Sequence, residues 1–180
     1  MPLTDLEQQI YDAFIGVPFP ADGYDIYAAQ TDDDYGSPTF TTDHFPSRLW
    51  YEVTPAQMHD CYAAFSFLHP DGWQYYLPAL LWMEIRQQNG NFQTIWILGQ
   101  RVGEFQAWQE LRHSKLNLAQ TEAVVSFLEY YINRERNVHA THAHYRYAQG
   151  GIEWAEEMEP AMLDDAEAAL SYWKDRLESK

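Results

Sequence analysis

Ser66-Phe67-Leu68-His69-Pro70-Asp71-Gly72-Trp73-Gln74-Tyr75-Tyr76-Leu77-Pro78 is the stretch from which the middle of the chain can be laid out. Asp71 is placed as a helix N-cap with Gln74 three residues on to complete a capping box. Pro70 keeps His69 out of helical geometry. One helix is therefore expected to end near Leu68 and another to begin near Gly72. Pro78 lacks an N–H and would clash with the carbonyl of Gln74, so the second helix should kink there or properly start near Tyr76. Leu77, Leu81 and Ile85, with Trp73 behind them, recur at helical spacing and mark a core-facing stripe.

Working outward, the same signals recur. Thr4 with Glu7 forms a capping box before Leu6, Ile10 and Phe14, predicting a helix from about Asp5 to Ile15. Thr54-Pro55-Ala56-Gln57 caps a second, with Met58, Cys61, Phe65 and Leu68 on one face. Asn117-Leu118-Ala119-Gln120 opens a third, striped by Val124, Val125, Leu128, Tyr131 and Ile132. Met162, Ala166, Leu170, Trp173 and Leu177 mark a last helix over about 160–177. Phe92 to Leu98 has strand-favouring residue types in helical surroundings. Gly99 to Leu116 reads as loop with a turn of helix around Phe105 and Trp108. The expectation is a mainly α, single-domain scaffold of about five or six helices with long irregular connections and room for a minor strand pair. Within it, 1–46 is an N-terminal helix plus an acidic irregular segment, 47–133 a helical core, 134–151 a His-rich connection and 152–180 an acidic C-terminal helix.

Composition narrows the function. At 180 residues the chain can bury a core of its own. No run of apolar residues reaches membrane-spanning length, and Met1 to Asp5 has no basic region followed by an apolar run, so cytoplasmic residence without a classical signal peptide is expected. Cys61 is the sole cysteine, which excludes an internal disulfide and a thiolate metal cluster. The net charge of −16 is unevenly placed: residues 1–60 carry −10, 61–150 are neutral and 151–180 carry −6. Such a field repels nucleic acid and anionic membrane and favours a basic protein partner. Asp22, Asp25, Asp32, Asp33 and Asp34 lie among Tyr24, Tyr27 and Tyr35. Glu153, Glu156 and Glu157 flank Trp154. Tyr and Trp are habitual interface anchors, so these twelve residues are the candidate partner-binding set.

Catalytic chemistry has little to stand on. His139, His142 and His144 are the densest group of potential ligands and could hold zinc or nickel with Glu153 or Glu156, in a metal-dependent enzyme or sensor, but their spacing matches no standard zinc motif. The run Asp32-Asp33-Asp34 lacks the order of an EF-hand. There is no phosphate-cradling glycine loop, nucleophile elbow or Ser/His/Asp arrangement. The expectation is a non-enzyme without a cofactor, a general adaptor being the bland alternative.

Trp50, the Ser66–Pro78 stretch, Gln120 with Phe127-Leu128, and Tyr172-Trp173 together resemble an uncharacterised bacterial family. Its members share a core of Phe-Leu-x-Pro-x-Gly-x-x-Tyr-Tyr-Leu-Pro and a later Leu-Thr-x-x-Gln helix. Here Leu118 is preceded by Asn117 and followed by Ala119, so the family's threonine before the glutamine is missing and Asn117 supplies the cap. The resemblance covers about residues 48–132 plus the tail. It implies a helical scaffold similar to small immunity proteins that neutralise toxins in interbacterial competition, the cognate toxin having a basic active site.

Overall fold

Pro70 opens the helix on which the others pack. The computed structural model describes residues 3–36, 48–87, 94–100, 103–149 and 159–179, with the backbone alone over 138–149 and 159–162. The central helix spans Pro70–Ile85, and 13 of its 16 residues are buried, from Trp73 and Tyr76 to Leu81 and Met83. A helix apolar on all sides belongs inside a protein, so the expected single stripe is too narrow a description. Its cap also differs. Pro70 takes the first helical position, where a missing N–H costs nothing, and His69 is the N-cap, its Nδ1 accepting the Asp71 N–H at 3.4 Å. Gln74 is thereby released from a capping role and donates to the Lys115 carbonyl at 3.0 Å and to Gln120 Oε1 at 2.9 Å. Pro78 sits inside the helix without ending it.

In chain order, α1 is Asp5–Phe14, α2 Ile26–Asp33, α3 Pro55–Asp60, α4 Ala64–Phe67, α5 the central helix, α6 Thr94–Leu98, α7 Gln106–Ser114, α8 Leu118–Gln149 and α9 Glu159–Glu178. Short 3-10 turns lie at Trp50–Glu52 and Gly103–Phe105. The protein is a mainly α single domain. Nine α-helices stand where five or six were expected, and no strand occurs among the described residues. The Thr4, Thr54 and Asn117 capping boxes all form, with Glu7, Gln57 and Gln120 reaching back to the cap N–H at 2.8, 3.0 and 3.1 Å. Replacing Thr54 by alanine should therefore cost about 1 kcal/mol, seen as a lower urea midpoint at unchanged slope.

Three departures from expectation have local causes. The helix expected from Thr54 to Leu68 breaks at Cys61 (φ −111°, ψ 42°), because the Ala63 N–H is drawn to Gln30 Oε1 at 3.0 Å. Met58, Cys61, Phe65 and Leu68 remain in the core regardless. The acidic segment contains α2, started by Asp25, whose carboxylate accepts the N–H groups of Tyr27 and Ala28 at 2.9 Å each. The segment 134–149, expected as a connection, continues α8 to Gln149. From Leu118 to Gln149 the chain has neither Gly nor Pro, so nothing in it stops the helix.

Packing follows from these placements. α5 is covered by α1, α6, α7 and the turn at Trp50–Glu52; α8 lies between α1 and α9, while α2 rests on α4. Inside, Glu84 meets Arg134 at 2.6 Å and accepts the Thr94 hydroxyl at 3.0 Å, pinning α6 and α8 to α5. Glu7 meets Arg86 at 2.6 Å. Burial alone would raise the Glu7 pKa, but hydrogen bonds from the Thr4 N–H, Arg86 and the Thr4 hydroxyl hold it below the usual carboxylate range.

Candidate functional site

The twelve acidic and aromatic candidates divide by position. Asp25, half-buried, caps α2, and Tyr27 is buried in the core. Asp22 is exposed before the helix, Asp32 exposed on it, and Asp33 and Asp34 half-buried at its end. Tyr24 lies flat on the His69 imidazole, the rings 4.0 Å apart and 8° from parallel, and His69 meets Trp108 edge-on at 6.1 Å. Glu153, Trp154, Glu156 and Glu157 lie outside the described residues. His139, His142 and His144 are on the α8 backbone, their side chains lie outside the described part of the structure, and among the described residues no three ligating groups converge on a metal position.

Tyr35 is the unusual residue of this set. It is 98% exposed and has φ +53°, in the left-handed region, beside Gly36 at φ +82°. The Gly36 N–H closes the helix end by donating to the Thr31 carbonyl at 2.8 Å. Glycine normally takes left-handed positions, and a bulky side chain there is strained by about 1 kcal/mol or more. Tyr35 therefore gives neither core packing nor relaxed backbone. It follows directly on three aspartates.

Among the described residues the two acidic ends of the chain pack on different elements. α2 packs on α4, whereas α9 packs on α8 and α6. Three of the charges of α9 are drawn into pairs: Glu167 with Arg136 at 2.5 Å, Lys174 with Glu129 at 2.7 Å and Arg176 with Glu110 at 2.6 Å.

A second feature escaped the sequence reading. Where α4 meets α5, a cleft of about 390 Å³ opens between the 65–73 junction, α6 and α7, walled by Phe67, Trp73, Trp96, Phe105 and Trp108 with Arg112 and His113 beneath. Arg112 is buried and spends its guanidinium on the junction, donating through Nε and Nη2 to the Leu68 carbonyl (2.9 and 2.7 Å) and through Nη2 to Ser66 O at 2.8 Å. That satisfies the carbonyls at the end of α4 with a cation, the sign a helix C-terminus favours. His113 is 0% exposed and its Nδ1 lies 2.8 Å from the Tyr172 hydroxyl, which donates to Glu110 Oε1 at 2.8 Å and accepts from Arg176 at 3.0 Å. Burial, helped by the charges of Arg176 and Arg112, pushes the His113 pKa down to about 3, so the imidazole is neutral. Phe105, Trp108 and Arg112 recur at helical spacing, the signal by which α7 and the cleft wall could have been found.

No helix among the described residues is long and apolar enough to cross a membrane. No curated protein and no solved structure is significantly similar to the chain. The model of a family of unknown function, DUF6714, matches residues 2–177, nearly the whole length, and the chain belongs to that family.

Proposed function

We propose that the protein is a non-catalytic binding protein whose partner is a basic protein, met by the α2 region, with Tyr35 as anchor beside Asp32, Asp33 and Asp34 at the end of the helix and Asp22 before its start. The observation that carries this reading is Tyr35 itself, a large aromatic side chain fully in solvent on a left-handed backbone, in the most acidic part of the chain. Strain kept at an exposed position is commonly associated with function. Tyr24, 39% exposed before the start of α2, lies on His69. Carboxylates at this density steer a cationic partner, raising its association rate towards roughly 10⁸ M⁻¹s⁻¹ at low salt.

The finer form of the proposal is that of a cytoplasmic bacterial immunity protein that neutralises a toxin by covering its basic active site. It draws support from the charge distribution and from the resemblance in the Ser66–Pro78 motif. The test is capture from a native-host lysate. One basic protein should be retained at low salt and released at high salt. Tyr35→Gly should raise the stability of the free chain by about 1 kcal/mol, by relieving the backbone, while weakening the capture. A partner held equally at every ionic strength, or by the variant as tightly as by the native chain, contradicts the proposal.

A further inference from the structure

The cleft between the helix junction and α7 is not needed by a partner that docks on α2, and none of its walls belongs to that acidic face. Its volume of about 390 Å³ falls in the range of small-molecule sites, about 300–1,000 Å³. Phe105 at the mouth is 70% exposed, and Phe67 and Trp96 are also in solvent. Large rings left in water on three different segments and converging on one cavity are a cost to the free protein that a flat ligand would offset.

One polar atom stands out among these rings. His113 lines the cavity, is fully buried, and its Nε2 has no hydrogen-bond partner. Which proton this ring carries follows from its neighbours. Glu110 is held below the usual carboxylate range: burial would raise it, but the Tyr172 hydroxyl and Arg176 outweigh burial, so it is ionised and can only accept. Tyr172 must then give its one hydroxyl proton to Glu110 at 2.8 Å, and His113 Nδ1, at 2.8 Å from the same oxygen, is the N–H that donates to it. Nε2, on the far edge of the imidazole from Tyr172, therefore carries a lone pair. A buried acceptor without a donor is the kind of group whose cost a ligand removes.

We propose that this cavity binds a small, neutral, planar ring compound with one N–H or O–H donor, of the indole or phenol kind, its ring among Trp73, Trp96, Phe105 and Trp108 and its donor on His113 Nε2. The remaining walls set the selectivity. Arg112 in the lining opposes a cation, and an anionic acceptor would face the lone pair of Nε2. A ring lacking the donor would fill the space and leave Nε2 unpaired.

Indole and N-methylindole, titrated separately into the full chain by calorimetry, test this directly, with the ¹⁵N resonances of the His113 ring followed in parallel. Indole should bind saturably, N-methylindole about tenfold more weakly, and only indole should move the Nε2 resonance. Phe105→Ala removes an exposed side chain, so it should weaken indole about fivefold while leaving the urea midpoint of the free chain unchanged. Equal affinity for the two compounds, no saturable binding of indole, or indifference to Phe105→Ala at native stability would overturn the proposal.

Discussion

Gly72→Ala is expected to cost about 3 kcal/mol, although alanine is the better helix former by about 1 kcal/mol. A Cβ at this position would sit 2.1 Å from the Tyr24 carbonyl oxygen and 2.9 Å from Leu68 Cδ2. The side-chain methyl of Leu68 can turn away, but the Tyr24 carbonyl is backbone and can yield only if the 21–25 loop lifts off α5. That loop carries Tyr24 onto His69 and sets the Asp25 cap that starts α2. The variant should show a lower urea midpoint and weaker partner binding together. Native stability would show that the loop does not press on α5, and would remove the reason for glycine in the motif. Close backbone approach is thus what this glycine permits, and it links the Ser66–Pro78 stretch to the proposed binding face.

Acidification from pH 6.5 to 4.5 should lower stability by about 2–3 kcal/mol through His113 alone. In the unfolded chain this histidine takes a proton below its ordinary pKa of 6.5, whereas burial beside Arg176 and Arg112 holds it neutral in the fold down to about 3. Across that window the unfolded state binds more protons, so stability falls as pH falls, reaching a loss on the order of 4 kcal/mol by pH 3. The groups around the ring are Tyr172, Trp173 and Arg176 from α9, Arg112 from its own helix and Trp73 from α5. Glu7 and Glu110 have depressed pKa values, so their contributions are also lost on acidification, but only below their unfolded value of 4.5. Urea denaturation at pH 7 and pH 5.5, above the range where those two carboxyls titrate, therefore isolates His113 from them. His113→Asn, which can keep a donor near Tyr172 and cannot titrate, should flatten the difference. An equal slope in both proteins would place the titration elsewhere.

What the residues alone made legible was most of what is decided within one helical turn. The Thr4, Thr54 and Asn117 boxes and the core positions Ile10, Met58, Leu68, Leu77, Val124 and Trp173 follow from cap chemistry and spacing. What was missed depends on partners far along the chain. The break at Cys61 needs Gln30 to take the Ala63 N–H, 33 residues away in sequence. The α5 cap was misplaced by two residues because an Asp with a Gln three residues on outweighed a proline that already fits the first helical position. The acidic candidates were chosen by charge density, which cannot tell Asp25 as a cap or Tyr27 as core from Tyr35 in solvent. The cleft is not legible from spacing alone because its walls come from the helix junction, α6 and α7, and only their packing brings them together.

Hydrogen exchange of the chain, free and bound to the captured basic protein, tests the central proposal most directly. Amides of 21–36 and those around His69 should gain protection in the complex, and the gain should shrink as salt is raised. Protection confined to α8 and α9, with 21–36 exchanging as in the free chain, would contradict it.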